Sequence, residues 1–112
     1  MTLPPGLEGW EEPFPGAPTM RYLERPVAVF VDMSRVLPGS AAFTRADNLP
    51  LRVRAGGIQL EARMPGSLSC WLRVADGRWI GQVCVPARSA NRQAHLDLWL
   101  WVDASHIAPR PM

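Results

Sequence analysis

Four titratable side chains near the carboxyl end come closest to a catalytic arrangement: His95, Asp97, Asp103 and His106. Residues two apart on a β-strand share a face, so the carboxylate of Asp97 could orient the imidazole of His95 for acid–base catalysis. No recognisable nucleophile motif accompanies this pair. We therefore expect a protein that is not an enzyme, and we keep a small hydrolase or isomerase centred on His95 and Asp97 as a third hypothesis.

The two cysteines, Cys70 and Cys84, offer little further chemistry. Cys70 is expected in the core on one side of a sheet, and Cys84 on the other side without a basic neighbour to stabilise a thiolate. The spacings of the cysteines and histidines match no standard zinc site. The sequence predicts reduced thiols, no metal and no cofactor, a combination typical of a cytoplasmic protein.

Tryptophans and arginines are the residues that indicate binding. The sequence has five tryptophans, and arginine without any lysine supplies its twelve strongly basic side chains, a bias typical of a GC-rich bacterial genome. Soluble monomers seldom expose much aromatic surface, so a face rich in tryptophan either binds a partner or is covered. The candidate binding residues are Trp71, Arg73, Arg78, Ile80, Trp99 and Trp101 on one sheet face, with Arg88 and Arg92 on a loop.

Two interpretations of this aromatic face follow from the sequence. In the first, the N-terminal segment and the loop from Asp32 to Pro50 cover it and form a second small core. In the second it is an open platform, on which a protein partner or a second copy docks, or on which bases stack between indoles while arginines contact phosphates. The loop PARSANRQ, residues 86–93, is either a contact for phosphates and base edges or an ordinary solvated connection.

Alternating apolar residues predict the strands that position these side chains. The clearest strand runs from His95 to Asp103. Its expected core side is Leu96, Leu98, Leu100 and Val102, and its opposite side is His95, Asp97, Trp99 and Trp101.

Two hairpins are predicted before that strand. The first turns at Gly56-Gly57 between LRVRA and IQLEARM, with Val53 facing Leu60. The second turns at Asp76-Gly77, with Ala75 opposite Arg78. In that register one face holds Cys70, Leu72, Val74, Trp79 and Val83, and the other holds Trp71, Arg73, Ile80, Gln82 and Cys84.

The first 26 residues are rich in proline and glycine and predict an extended arm through which no regular strand ladder runs. Trp10 and Phe14 in this arm are costly to leave in water, so we expect the arm to dock on its own domain or in a groove of a partner. A buried strand is predicted at residues 27–31, followed by a loop in which Asp32 and Ser40 cap one-turn helices. The predicted division is therefore an arm, residues 1–26, and a single domain, residues 27–112.

The segment DGRWIGQV, followed by a polar loop, a strand and WVDASHIAP, resembles the second half of SH3-like barrels. Trp79 and Gly81 match the Trp-x-Gly element of that family, and residues 102–107 look like the turn before its last strand. The resemblance covers residues 70–109 and implies an all-β fold, a small SH3-like or related barrel of five to six strands. It does not extend to proline-peptide binding, because the acidic loop before Trp79 and the tyrosine-rich groove are missing from the sequence, and the fold alone does not choose a function.

Charge and composition separate the function classes further. The net charge is +2, and residues 50–112 carry a surplus of four positive charges, which falls short of the basic footprint of a typical nucleic-acid binder. The sequence has neither the pattern of a secretory signal nor an apolar run long enough for a membrane span. The leading hypothesis is a non-catalytic accessory module that docks on a protein partner or on itself through the aromatic face. The alternative is a nucleic-acid-binding small barrel that uses the same indoles with the arginines.

Overall fold

The computed structural model describes residues 4–37 and 49–111. Most of its regular structure is β, as predicted, and the strand predicted from His95 to Asp103 is confirmed. A one-turn 3-10 helix at Ala104–His106 precedes the last strand, within the residues that the resemblance implied to be a turn. The elements are β1 (Met20–Asp32), α1 (Met33–Val36), α2 (Leu51–Gly56), β2 (Arg63–Arg73), β3 (Trp79–Arg88), β4 (His95–Asp103) and β5 (Ile107–Pro109).

The five strands form one antiparallel sheet in the order β4-β3-β2-β1-β5. β1 to β4 pair in sequence order, whereas β5 returns across the sheet to pair with β1. Two strands are therefore sheet edges, β4 with nine residues and β5 with three.

The inner face of the sheet carries a core built largely from valine, a residue whose branched side chain suits a pleated surface. Val31, Val83 and Val85 are fully buried there. A Cβ added to Gly81 on β3 would lie only 3.0 Å from Cδ1 of Ile107 on β5. The sheet therefore curves enough to bring β5 over β3.

β1 begins earlier than predicted, at Met20 rather than at Val27. Met20, Arg21 and Tyr22 pair with β2, so a strand ladder runs through the end of the segment expected to be an irregular arm. The register shifts after Tyr22, and Pro26, which has no N–H to donate, lies within that shift. Pro26 thus marks an irregularity within β1.

The hairpin predicted at Gly56-Gly57 is wrong, because residues 51–56 form helix α2. The N–H groups of Val53 and Arg54 both donate to the carbonyl of Pro50, at 3.0 and 3.1 Å. Ile58 makes only an isolated bridge, so the strand expected after the glycines does not form. A two-stranded hairpin with no third strand to bury its apolar side chains is marginal, whereas a short helix satisfies its backbone locally.

The hairpin predicted at Asp76-Gly77 forms, but with a longer turn than expected. The Val74 N–H donates to the Arg78 carbonyl at 2.8 Å, which closes a three-residue loop. Gly77 has φ of 97°, the left-handed conformation that the last residue of such a loop requires. Arg78 therefore pairs with Val74 and not, as predicted, with Ala75.

This longer turn shifts the register of β2 against β3 by one residue and reassigns the faces. Arg73 pairs with Trp79, and Trp71 pairs with Gly81. Trp79 consequently shares a face with Trp71 and Arg73, and Ile80 lies on the opposite face. Both placements correct the prediction, since a one-residue slip moves a side chain to the other side of a sheet.

Helix α1 begins after Asp32, as predicted, but different groups satisfy its first amides. The N–H groups of Met33 and Ser34 donate to the carbonyl of Ala62, at 2.8 and 3.4 Å. The Asp32 carboxylate instead accepts from the Ser34 hydroxyl. The helix predicted after Ser40 lies outside the described residues.

Across residues 4–37 and 49–111, no helix has both the length and the apolar composition to cross a membrane.

Candidate functional site

β4 is an apolar strand at a free edge of the sheet. It pairs with β3 on one side, and none of the described residues pairs with its other side. Leu96, Trp99 and Trp101 keep 43 %, 42 % and 38 % of their surface exposed. Because Leu96 and the two tryptophans point to opposite faces, the strand exposes apolar side chains on both. An edge of this kind is a template for pairing with another chain.

The backbone groups of alternate β4 residues point away from β3. At the β3–β4 turn the Ser89 N–H donates to the Ala94 carbonyl at 2.9 Å, and bonded and non-bonded pairs alternate from there along an antiparallel ladder. Asp97 accordingly faces Pro86, which has no N–H, in a non-bonded pair. The residues whose N–H and C=O groups are directed outward are His95, Asp97, Trp99, Trp101 and Asp103.

The N-terminal segment covers part of the outer face beside these tryptophans. Leu7 is 4 % exposed and packs with Met20 and Cys70 into a second small core. Gln82, 2 % exposed, donates from Nε2 to the Pro5 carbonyl at 2.8 Å. The side chain of Gln82 thus fixes the segment to the sheet and satisfies its own buried amide.

This cover ends next to the indoles of β4. Gln82 pairs with Trp101, and Cys84 pairs with Trp99. Near β1 and β2 the N-terminal segment packs on the outer face through Leu7, whereas Trp99 and Trp101 on the β4 side of that face stay partly exposed. The loop expected to share in the cover falls largely at residues 38–48, outside the described residues.

Glu12 holds the same N-terminal segment to the start of β1. Its carboxylate accepts from the backbone N–H groups of Thr19 and Met20, both at 2.7 Å. The indole N–H of Trp10 donates to it at 3.4 Å. These bonds, led by that of the Thr19 amide, hold the pKa of Glu12 below its usual value.

Trp71 lies on the other face of the sheet from Trp99 and Trp101. It packs against the main core, and a Cβ on its pairing partner Gly81 would lie 3.1 Å from its Cζ3. The prediction that all three tryptophans share one face is therefore wrong. The cause is the one-residue change of register between β2 and β3. It places the Trp71 side chain on the inner face, whereas Trp99 and Trp101 lie on the outer face.

A second aromatic site, not predicted from the sequence, surrounds Trp79. The guanidinium carbons of Arg21 and Arg73 lie 4.7 and 5.1 Å from its ring centroid, within the range of cation–π attraction. Arg21, Trp79, Trp71 and Ala104 line an open cavity of about 260 Å³. Of the predicted binding residues, the structure brings Trp71 and Arg73 together here, away from Trp99 and Trp101.

Arg78 forms ion pairs within the fold. Its Nε lies 3.0 Å from Oδ2 of Asp76, and its Nη1 lies 3.4 Å from Oδ1 of Asp103. The side chain of Arg78 therefore ties the β2–β3 turn to the end of β4. The hydroxyl and amide of Ser105 also donate to Asp103 and lower the pKa of its carboxyl.

Ile80, another predicted binding residue, is half-buried on the outer face.

The connection from β3 to β4 is shorter than the predicted loop of residues 86–93, because Pro86, Ala87 and Arg88 belong to β3; it carries Arg92 and is held against α2. The Asn91 N–H donates to the Ala55 carbonyl at 2.7 Å, near the end of that helix. Arg88 and Arg92 line a polar cavity of about 350 Å³ beside this contact. Arg88 pairs with the first residue of β4, so both arginines are at the far end of that strand from Trp101.

The two thiols are unsuited to nucleophilic chemistry. Burial raises the pKa of Cys70 and of Cys84, and the nearby carboxylate of Asp97 raises the pKa of Cys84 further. Both lie on the same face, which corrects the prediction, because Cys70 pairs with Gln82, two residues from Cys84. Within residues 4–37 and 49–111, no three His, Cys, Asp or Glu side chains are arranged to hold a metal ion.

Leu96 is the part of the edge that sequence reasoning missed, since its side of β4 was predicted to lie in the core. It pairs with Ala87, beyond the last pair that joins β2 to β3 at Ser67 and Cys84. No further strand therefore continues the inner face next to it. Nothing in HLDLWLWVD separates Leu96 from the other core-side residues, because its exposure depends on where the β2–β3 ladder ends.

Comparisons with protein-family models, with curated proteins and with solved structures give no match to this chain.

Proposed function

We propose that this chain is a non-catalytic docking module whose partner protein adds a strand to the free edge of β4. The observation that carries the proposal is the combination of outward backbone groups with half-exposed Leu96, Trp99 and Trp101 along nine residues. In strand addition the main-chain hydrogen bonds supply affinity, and alternate side chains supply specificity. Tryptophan is also among the residues that contribute most to protein interfaces.

We further propose that the sheet belongs to the small barrels that resemble SH3-like domains. Three observations support this: the return of β5 to β1, the one-turn 3-10 helix before β5, and the contact of Ile107 with Gly81 across the curved sheet. A bacterial, cytoplasmic accessory protein fits the arginine bias and the reduced thiols Cys70 and Cys84.

Site-specific photocross-linking in cells tests the docking proposal. A photoreactive phenylalanine analogue in place of Trp101 should give one discrete protein adduct, because that side chain borders the edge. The same analogue in place of Phe14, which is 70 % exposed but away from β4, is the matched control. Adding Trp99→Lys should remove the Trp101 adduct. The proposal is overturned if position 101 gives no adduct, or if positions 101 and 14 give the same ones.

Nucleic-acid binding is the second candidate function, and the site around Trp79 favours it. Among the described residues only Arg78 pairs with carboxylates, so Arg21 and Arg73 are available to phosphates while Trp79 and Trp71 offer ring surface. Base stacking on such rings contributes about 1–3 kcal/mol per base. This candidate predicts that binding of a single-stranded oligonucleotide weakens steeply with salt and is lost in Trp79→Ala. Oligonucleotide binding that is affected neither by salt nor by Trp79→Ala would rule out this candidate function.

A further inference from the structure

We infer that the strand which occupies the β4 edge is β4 of a second copy of this chain, paired antiparallel about a two-fold axis at Trp99. This inference rests on the proposed function and names its partner. It follows from three properties of β4: the positions of its outward backbone groups, the polar side chains along it and its two apolar faces.

The outward backbone groups fit one register best. Bonded pairs in an antiparallel ladder join residues whose groups point toward each other, and on β4 these are the alternate residues from His95 to Asp103. With Trp99 opposite Trp99 of the second copy, all of these residues find a bonded partner. Any other register leaves residues at the strand ends unpaired.

The charges select the same register. His95 lies opposite Asp103 of the second copy, and Asp97 lies opposite Trp101, whose indole N–H can donate to a carboxylate. A shift by two residues in one direction would set Asp97 opposite Asp103, where two like charges repel. A shift in the other direction would leave Asp103 without a partner residue.

The side chains also match on both faces. In the Trp99-centred register Leu96 faces Val102 and Leu98 faces Leu100, so the inner apolar layer continues from one copy into the other. On the outer face the two Trp99 side chains are direct cross-strand neighbours, a pairing that aromatic residues favour. The pairing therefore covers the apolar surface that β4 exposes on each face.

Light scattering of the purified full chain across a concentration series tests whether a second copy binds. The wild type is expected to reach twice the mass of one chain at millimolar concentration and to dissociate on dilution. Trp99→Lys should stay at the mass of one chain, because a charged edge residue opposes strand pairing. Trp10→Lys is the matched control, since Trp10 is 43 % exposed and its indole bonds to Glu12 at the start of β1, and it should dimerise like the wild type.

Cysteine cross-linking tests the register in a Cys70→Ser, Cys84→Ser background. A mixture of Asp97→Cys chains and Trp101→Cys chains should form a disulfide-linked pair, because these positions face each other. Trp101→Cys alone should not, since its two copies would lie roughly 14 Å apart along the strand. Each cysteine variant is checked by circular dichroism, and Ser105→Cys, outside β4, serves as a folded comparison.

The outcomes separate this inference from the proposed function. If the wild type keeps the mass of one chain at millimolar concentration, the inference that a second copy binds is wrong. The docking function still stands in that case if position 101 cross-links to a different protein in cells. A dimer that persists in Trp99→Lys, or that fails to link positions 97 and 101, overturns the β4 pairing itself.

Discussion

The two edge strands of the sheet, β5 and β4, differ in length and in composition. β5 has three residues and ends at Pro109, so it offers little backbone for another strand to pair with. β4 has nine residues without proline or lysine, and only Asp97 interrupts its apolar stretch between His95 and Asp103. Soluble proteins usually protect a sheet edge by shortness, proline or charge. This contrast is the basis of the proposal that the β4 edge, which no described residue covers with a further strand, binds a partner.

Proline substitutions at two neighbouring β4 positions should show the largest difference in the free energy of unfolding. Leu98→Pro removes an N–H that faces Val85 and leaves a core carbonyl unpaired, so we expect the free energy of unfolding to fall by roughly 2–3 kcal/mol. Asp97→Pro removes only an outward N–H and should fold nearly as well as the wild type while losing association. Urea titration and light scattering measure the two effects. Equal destabilisation by the two prolines would contradict the outward assignment.

Gln82→Leu should enlarge the exposed surface beside β4. The variant loses the bond to the Pro5 carbonyl, and we expect a cost of about 1 kcal/mol together with release of the N-terminal segment. Faster proteolysis within residues 4–19 measures that release, with Thr19→Val as a comparison that keeps the Gln82 contact. A segment that stays equally resistant in Gln82→Leu would show that Leu7 and its neighbours hold it unaided.

Acidification should release the same segment through Glu12. Because the folded pKa of Glu12 lies below its ordinary value of 4.5, its bonds to β1 contribute stability above that pH and lose it as the pH falls through the folded pKa. Trp10 fluorescence should follow this loss, and Glu12→Gln should remove the pH dependence of the segment. Asp103 and Asp32 have lowered pKa values too, so global unfolding is measured in parallel. An unchanged acid response in Glu12→Gln would assign the effect to those groups.

Arg78→Ala should have the smallest effect. The Arg78 side chain is 60 % exposed, and exposed ion pairs contribute no more than about 1 kcal/mol. We expect a small loss of stability that high salt masks, with dimerisation through β4 unchanged. Asp76→Asn provides the matched removal of one ion pair. A loss of association in Arg78→Ala would mean that the end of β4 depends on this link.

Local pattern was sufficient to predict β4 and the turn at Asp76-Gly77, because each depends on neighbouring residues, whereas the turn before β5 was expected only from the resemblance to SH3-like barrels. The register of β2 was not predictable in the same way. A turn of two residues and a turn of three both fit Asp-Gly, yet they place Trp71 on opposite faces. That single residue of difference divided the predicted aromatic face into two sites.

Features that depend on distant contacts were also beyond the sequence pattern. Helix α2 forms where alternation predicted a strand, since none of the described strands lies where it could bury Val53 in such a hairpin. The buried bond from Gln82 to Pro5 joins positions far apart in the chain, and nothing in the local sequence marks it. The exposure of Leu96 likewise depends on where the β2–β3 ladder ends.

Amide hydrogen exchange along β4 is the most direct test of the docking edge. It is measured on the isolated chain at millimolar and micromolar concentration and, if cross-linking recovers a different partner, on that complex. We expect the amides of Leu98 and Leu100 to be protected throughout, and those of Asp97, Trp99 and Trp101 to gain protection only when the edge is occupied. Outward amides that exchange freely under every one of these conditions would contradict the account.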